Sequence, residues 1–521
     1  MNRKKGLPNG WGWTTVGEIA RAIQYGHTES ACDDPHGPRF LRITDIQNGQ
    51  VDWDTVPSCA ITPDEHSKYC LETGDIVFAR TGATTGKSFL IRQCPDAVFA
   101  SYLIRLRMFQ GVYPSFVQAY FQTNDYWRQI EGGKRGIGQP NVNATILGEI
   151  QLPLAPASEQ RQIVAKIEEL FSDLDAGVAA LVRIKANLKR YRAAVLKAAV
   201  EGKLTEEWRA KHSTTEPATN LLERILTERR KKWEEDQLAR FAAADKTPPK
   251  GWREKYVEPT GPHTSGLPEL PKGWCWARME QVGHVQLGRQ RSPKHHNGPH
   301  MRPYLRVANV FEDRIDTGDV MEMNFSPDEY ETYRLSFGDI LLNEGQSMEL
   351  IGRPAMYRDE VPGACFTNTL VRFRAKEGVD PHYALKVFLA YLKNGRFQKI
   401  ATITVNIAHL GAGRFAEIEF PLPPIEEQAA IIEEVDQHFS MLEAAERAIS
   451  KSLVRAARLR QCILKRAFEG KLVPQDPTDE PADKLLERIR QERESSNMQE
   501  GRNGSARRTS GKGQASIQKQ K

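Results

Sequence analysis

At 521 residues, with 40% hydrophobic and 27% charged side chains, the chain has the composition of a soluble globular protein of several domains. Its net charge of +6 is small for this length, so it permits nucleic-acid binding without pointing to it. No apolar run reaches about 18 residues, and the basic start Met-Asn-Arg-Lys-Lys-Gly lacks the apolar core of a secretory signal, so neither a transmembrane helix nor export is expected. Seven cysteines, at 32, 59, 70, 94, 275, 365 and 462, form no Cys-x-x-Cys pair. Reduced, mostly buried thiols in a cytoplasmic protein are expected, with no structural metal.

In chain order the elements follow one plan, executed twice at offsets of 263 to 268 residues. Leu7-Pro8-Asn9-Gly10-Trp11-Gly12-Trp13 opens the first copy and Leu270-Pro271-Lys272-Gly273-Trp274-Cys275-Trp276 the second. Strand-like runs follow at Phe40–Ile43, Ile76–Arg80 and Val98–Met108, matched by Tyr304–Val307, Ile340–Asn343 and Phe366–Arg374. Gly74-Asp75-Ile76 and Gly338-Asp339-Ile340 mark the middle run. One helix is predicted in each globular part, starting near Pro114 and Pro381, where proline suits a first turn. A short strand then meets a proline elbow, Pro153-Leu154-Ala155-Pro156 and Pro421-Leu422-Pro423-Pro424.

After each elbow a helix is predicted over 157–200 and 425–468, roughly 65 Å long at about 1.5 Å per residue. Apolar residues recur every three or four positions, from Val164, Ile167 and Phe171 to Val195, and from Ile432, Val435 and Phe439 to Ile463. Such a coiled-coil-like stripe needs a partner, and its own repeat is the simplest. Each helix closes on Glu-Gly-Lys-Leu, at 201–204 and 469–472. A charged helix near Ala218–Arg240 and a Pro/Gly-rich linker, 246–271, join the copies. A shorter helix near Ala482–Glu494 leads into a basic tail expected to be disordered.

Several patterns that suggest chemistry fail on context. Gly82-Ala83-Thr84-Thr85-Gly86-Lys87 has three residues between its glycines where a phosphate loop needs four, and a strand-like run follows. Gly411-Ala412-Gly413-Arg414-Phe415-Ala416 matches a loose dinucleotide pattern but runs into a strand ending in proline. His295, His296 and His300 lack a carboxylate at ligand spacing. No methyltransferase tetrapeptide and no helicase motif pair is present, and no catalytic constellation recurs in both copies.

The order of the Leu-Pro-x-Gly-Trp-x-Trp start, the Gly-Asp-Ile strand, the Pro-Leu-x-Pro…Glu-Gln elbow, the long helix and the closing Glu-Gly-Lys-Leu resembles the DNA-specificity subunits of type I restriction-modification systems, over about residues 7–495. The resemblance implies an α+β chain with an internal pseudo-two-fold repeat. Two target-recognition domains would each read one half of a split site on double-stranded DNA, and two long antiparallel helices would set the spacing. It also implies docking of two methyltransferase subunits, with motor-nuclease subunits joining them. S-adenosylmethionine, ATP and Mg2+ would sit on those partners, with no catalytic residue, cofactor or metal here. A self-contained methyltransferase or nuclease with a fused reader, and a subunit of a methylation-only complex, stand as alternatives.

The expected boundaries are 1–150 and 270–418 for the recognition domains, 151–204 and 419–473 for the spacer helices, 205–269 for the charged helix and linker, and 474–521 for the short helix and tail. Base or phosphate contacts need polar side chains on loops of the recognition domains. The candidates are Arg39, Arg42, Arg80, Thr81, Thr84, Lys87, Lys134 and Arg135 in the first, and Arg291, Lys294, His295, Arg302, Asn309, Asn343, Gln346, Ser347 and Arg353 in the second. The loops around 80–88 and 343–353 differ most between the copies and are where the two halves should read different DNA.

Overall fold

The computed structural model describes residues 6–496 apart from 48, 134–140, 214 and 405–406. Lys134, Arg135 and the basic tail therefore lie outside the described residues. The chain divides into two compact units, one of residues 1–181 with 450–521, the other of residues 182–449. This division cuts across the sequence repeat, because each unit combines pieces of both copies.

In the first unit, strand Gly12–Thr15 pairs antiparallel with the elbow strand Gln151–Leu154. The main sheet has the order Ala20–Tyr25, Leu103–Met108, Ile76–Ala79, Ser88–Leu90, all antiparallel. The second unit repeats it as Gly283–Leu287, Leu370–Ala375, Ile340–Asn343, Pro354–Met356. Ile76–Ala79 and residues 340–342 of Ile340–Asn343 are apolar in succession rather than alternating because the strands are buried on both faces. A second small sheet in each unit contains a parallel pair, Arg39–Leu41 with Ala97–Phe99 and Met301–Leu305 with Cys365–Phe366.

Two expectations are corrected here. The single runs Val98–Met108 and Phe366–Arg374 are each two strands in different sheets, broken at turns where Leu103 N–H donates to Ala100 O and Leu370 N–H to Thr367 O. No glycine or proline marks those turns. Each globular part also holds more than one helix. Pro63–Tyr69 and Pro327–Tyr333 start on capping boxes, Thr62 with Glu65 and Ser326 with Glu329.

The two long helices span Ala157–Val200 and Ile425–Phe468. In the first unit Ile163, Val164 and Ile167 share a core with Ile463, Leu464, Ala467 and Phe468. In the second, Val195, Leu196 and Ala199 share one with Ile431 and Val435. The start of each helix thus packs on the end of the other, so they run antiparallel. Val182, Ile184, Tyr191, Met441, Val454 and Leu459 stay exposed on them.

The repeated motifs are joints. Each Trp indole donates to the buried first carboxylate of a Glu-Gln pair, Trp11 Nε1 to Glu159 Oε2 at 2.9 Å and Trp274 Nε1 to Glu427 Oε2 at 2.8 Å. The adjacent glutamines accept from the backbone before the next helix, Gln160 from Tyr113 N–H and Gln428 from Asp380 N–H. The glycine of each Glu-Gly-Lys-Leu ends its long helix in the left-handed region, with φ of +67° at Gly202 and +63° at Gly470. A Cβ there would lie 2.5 Å from Pro271 Cγ and 2.3 Å from Pro8 Cγ, respectively. One copy's helix end therefore seats the opening motif of the other copy.

The shorter helices are joints too. Ala218 N–H donates to Gly273 O and Ala482 N–H to Gly10 O, each at 2.8 Å. Leu221 and Ile225 of helix Ala218–Ala243 join the second unit's core, while Leu485, Leu486 and Ile489 of the helix over 482–496 join the first's. Part of the predicted linker folds back as a short helical turn, Trp252–Lys255, with Trp252 stacked on Trp233 at 5.9 Å between ring centroids. No helix among the described residues is long and apolar enough to cross a membrane.

Candidate nucleic-acid interfaces

The Gly-Asp-Ile aspartates anchor each recognition domain from within. Buried Asp75 accepts from both Arg107 Nε (2.8 Å) and Nη2 (2.9 Å) and from Glu72 N–H (3.0 Å). Buried Asp339 accepts from Arg374 Nε and Nη2, both at 2.6 Å, and from Ser336 N–H (2.9 Å). Two residues earlier on each strand, buried Arg105 and Arg372 donate to Gln24 and Gln286 and to carbonyls at the end of a capped helix. Burial lowers the pKa of both arginines, Arg372 to about 10, against the pull of the nearby aspartate. These charges fix the frame and are not free for DNA. The repeat Leu-Ile-Arg-Leu-Arg against Leu-Val-Arg-Phe-Arg carried this information in the sequence and was missed.

On that frame the loop after Ile76–Ala79 gathers Arg80, Thr81, Thr84 and Lys87. The Arg80 guanidinium lies 4.8 Å over the Tyr25 ring. Thr81 bridges to Asn141, and Lys87 is exposed. The phosphate-loop reading fails structurally as well. Gly82–Thr84 is one short turn, Gly86 O accepts from Tyr126 Oη at 2.6 Å, and strand Ser88–Leu90 follows. Arg39 and Arg42 sit elsewhere, at the Arg39–Leu41 strand. Arg39 donates to Val56 O (3.0 Å), and Arg42 holds Asp45 through Nε (3.1 Å) and Nη2 (2.8 Å).

The second domain divides its candidates between two sheets. Arg291, Lys294, His295 and Arg302 lie on or beside Met301–Leu305, with Arg291 over Tyr304 at 5.6 Å and Arg302 over Tyr330 at 4.5 Å. Gln346, Ser347 and Arg353 belong to the loop after Ile340–Asn343. Arg353 stacks 4.7 Å over Phe311, and burial lowers its pKa.

Two candidates are withdrawn. Asn309 is buried, and its side chain accepts from Arg306 N–H (3.0 Å) and donates to Asp316 O (3.0 Å) and Asp319 O (2.9 Å), the turn-closing role Asp45 plays in the first domain. Asn343 is fully buried within its strand. Neither can reach a base. Within the stretch after Ile340–Asn343, Gly345 and Gln346 pair in a strand with His409 and Ala408. The Gly411–Ala416 stretch forms a single helical turn, Ala412–Ala416, before strand Glu419–Leu422.

The backbone bonds also expose a pair that the sequence reading passed over. Arg80 N–H donates to Tyr102 O and Arg80 O accepts from Val142 N–H; Glu344 N–H donates to Thr369 O and Glu344 O accepts from Leu410 N–H. Arg80 and Glu344 thus occupy the same seat in the two domains with opposite charge. Beside them, Tyr102 is 61% exposed where the second domain has Thr369, and Glu344 faces His409 Nδ1 at 3.2 Å. An arginine suits guanine acceptors and a glutamate suits the cytosine amino donor, so the two copies carry chemically different groups at one backbone position. Exposed Ile403 and Ile407 flank the neighbouring strands in the second domain.

Comparison with known proteins finds one family model in both copies of the repeat. The family model described as "Type I restriction modification DNA specificity domain" matches twice, over residues 10–182 and 271–453. The chain is 26% identical to the type I restriction enzyme EcoKI specificity subunit of Escherichia coli K12, covering 94% of this chain and 97% of that protein. It is also 26% identical to the StySPI specificity subunit of Salmonella potsdam, over 95% and 97%. Among solved structures, a chain from a study of the assembly and conformational transition of the type I R-M system superposes with a TM-score of 0.61 at 17% identity, covering 89% of this chain and 99% of that one. The HsdS subunit from Thermoanaerobacter tengcongensis superposes at 0.51 and 18% identity, over 89% and 98%. With both copies matched by the same model across most of its length, the chain belongs to the type I restriction-modification DNA specificity family.

Proposed function

We propose that this protein is the DNA-specificity subunit of a type I restriction-modification complex, each recognition domain reading one half of a split duplex target. The observation that supports the reading is the Arg80/Glu344 seat: two copies of one frame hold side chains of opposite charge at one backbone position. The long antiparallel helices set the distance between the half-sites, and their exposed apolar residues offer a docking face for two methyltransferase subunits. Motor-nuclease subunits join that core. S-adenosylmethionine, ATP and Mg2+ act on those partners, and the chain itself catalyses nothing. It works in the cytoplasm, where the host DNA lies. The recognition domains extend over 1–150 and 270–418, with the spacer helices after each.

The test is to map methylated adenines in host DNA with and without the chain. Loss of a single two-part motif is the expected result, and an unchanged pattern would overturn the proposal. Methyl transfer by the purified chain alone would favour the self-contained enzyme instead.

A further inference from the structure

His66, Cys70 and Asp96 bring an imidazole, a thiol and a carboxylate together in the first recognition domain. Their ligand atoms lie within 4.8 Å of one another, and this is the one such group of three among the described residues. His66 and Cys70 are four positions apart at the end of helix Pro63–Tyr69, so both face the same side. Asp96 comes from the segment before strand Ala97–Phe99, with its Oδ1 2.7 Å from His66 Nε2. A second thiol stands beside them, since Cys70 Sγ and Cys94 Sγ both donate to Leu71 O at 3.6 Å.

We propose that these residues form a zinc site, with His66, Cys70 and Asp96 as ligands and solvent closing the fourth position. Nitrogen, sulfur and oxygen donors in this mixture suit a borderline-soft cation of tetrahedral preference. Zinc bonds of about 2.0–2.3 Å space tetrahedral ligand atoms by roughly 3.3–3.8 Å, so the His66–Asp96 pair opens by less than about 1 Å. Binding releases the Cys70 proton to solvent. The supporting backbone is already held. Buried Arg105 donates to Cys70 O (2.5 Å) and Lys68 O (3.1 Å), Leu71 N–H to Ala97 O (2.8 Å), and Arg39 N–H to Asp96 O (2.9 Å). The ion would tie the helix to the strand pair that carries Arg39.

The second domain supplies an internal control. Helix Pro327–Tyr333 carries Tyr330 where the first has His66, and Arg334 follows it where the first has Cys70. The chain should therefore bind one ion and not two.

The experiment uses the full chain, purified under reducing conditions and dialysed free of loose metal. Equimolar zinc by elemental analysis is expected. Cobalt substitution should give the near-ultraviolet charge-transfer band of a thiolate ligand. Cys70→Ser should abolish that band, and Asp96→Asn, on an exposed side chain that folding does not need, should weaken zinc retention at least about tenfold. Hydrogen exchange should show both variants folded. Three results would each overturn the proposal: no charge-transfer band in the wild-type chain, undiminished zinc in folded Cys70→Ser, or a Cys70–Cys94 disulfide in protein handled without oxygen.

Discussion

Substituting glutamine for Glu427 and for Glu159 should have opposite consequences, although the two residues occupy the same place in the repeat. Both are buried, at 1% and 2% exposure, and both accept from a tryptophan indole. Glu427 also accepts from Thr205 Oγ1 (2.6 Å) and pairs with the Arg209 guanidinium. Breaking a buried ion pair by removing one partner costs about 3–5 kcal/mol. Arg209 is 19% exposed and keeps its bonds to Thr205 Oγ1 and Gly202 O, so Glu427→Gln belongs at the lower end, about 3 kcal/mol.

Glu159 has no arginine opposite it, because Gln475 is the neighbour there, and desolvation raises its pKa above the ordinary carboxylate value. A folded-state pKa above the unfolded one means that proton uptake favours folding. The burial penalty is absent below the ordinary value and builds as the pH rises through the folded one. Glu159→Gln keeps an acceptor for Trp11 without the charge. It should leave the first unit as stable at neutral pH or more so, and remove the acid-side gain. Hydrogen exchange with mass spectrometry reads both joints in one sample. Amides in 270–274 and 424–431 should exchange roughly 100-fold faster in Glu427→Gln, while those in 8–11 and 156–163 hold steady or slow in Glu159→Gln. Equal destabilisation by the two variants would refute the reasoning.

Other consequences are open to direct measurement. Lys87→Ala should weaken DNA binding by the assembled complex evenly across sequences and lower the salt slope by about 1, whereas Arg80→Ala should relax preference at one position of one half-site by about 1–3 kcal/mol. A slope change from Arg80 alone, with specificity intact, would exchange their roles. Exposed Cys32 and Cys462 should alkylate first, while Cys59 and Cys275, pushed up to about 11 by burial, and Cys365, pushed up to about 12, resist. Protection of Cys462, but not Cys32, on adding methyltransferase subunits would place docking on the helix Ile425–Phe468. Inserting four residues in each long helix adds about 6 Å, and at about 3.4 Å per base pair the gap between half-sites should widen by one or two base pairs. Methylation mapping would show the half-sites themselves altered if the helices do more than space them.

Much of this was legible because the repeat compares the chain with itself. The long helices fall at the predicted residues, since forty unbroken positions of apolar periodicity overdetermine them. Ile340–Asn343 was equally plain, as its first three residues are an unbroken apolar run of a central strand. What escaped was tertiary. The turns at Ala100 and Thr367 carry neither glycine nor proline and exist because neighbouring strands claim their backbone groups. The capping boxes at Thr62 and Ser326 were readable and overlooked. Asn309 and Asn343 looked like contacts because polar residues near loops attract that reading, and only burial separates a turn-closing amide from a base-reading one. The His66–Cys70–Asp96 group draws on two distant segments, so ligand spacing could not reveal it.

Because the opening motif of each copy seats on the helix end of the other, the two units reach completion at different times during synthesis. Residues 182–449 are one continuous stretch and can close as soon as they emerge. The first recognition domain is made earliest and finished last. It waits for Gly470 to meet Pro8 and for Leu485, Leu486 and Ile489 to cover its core. A chain cut short before residue 480 would present a finished second reader beside a first one with an open apolar flank, which cellular proteolysis can recognise. The first domain's core is thereby closed only after translation has passed residue 489.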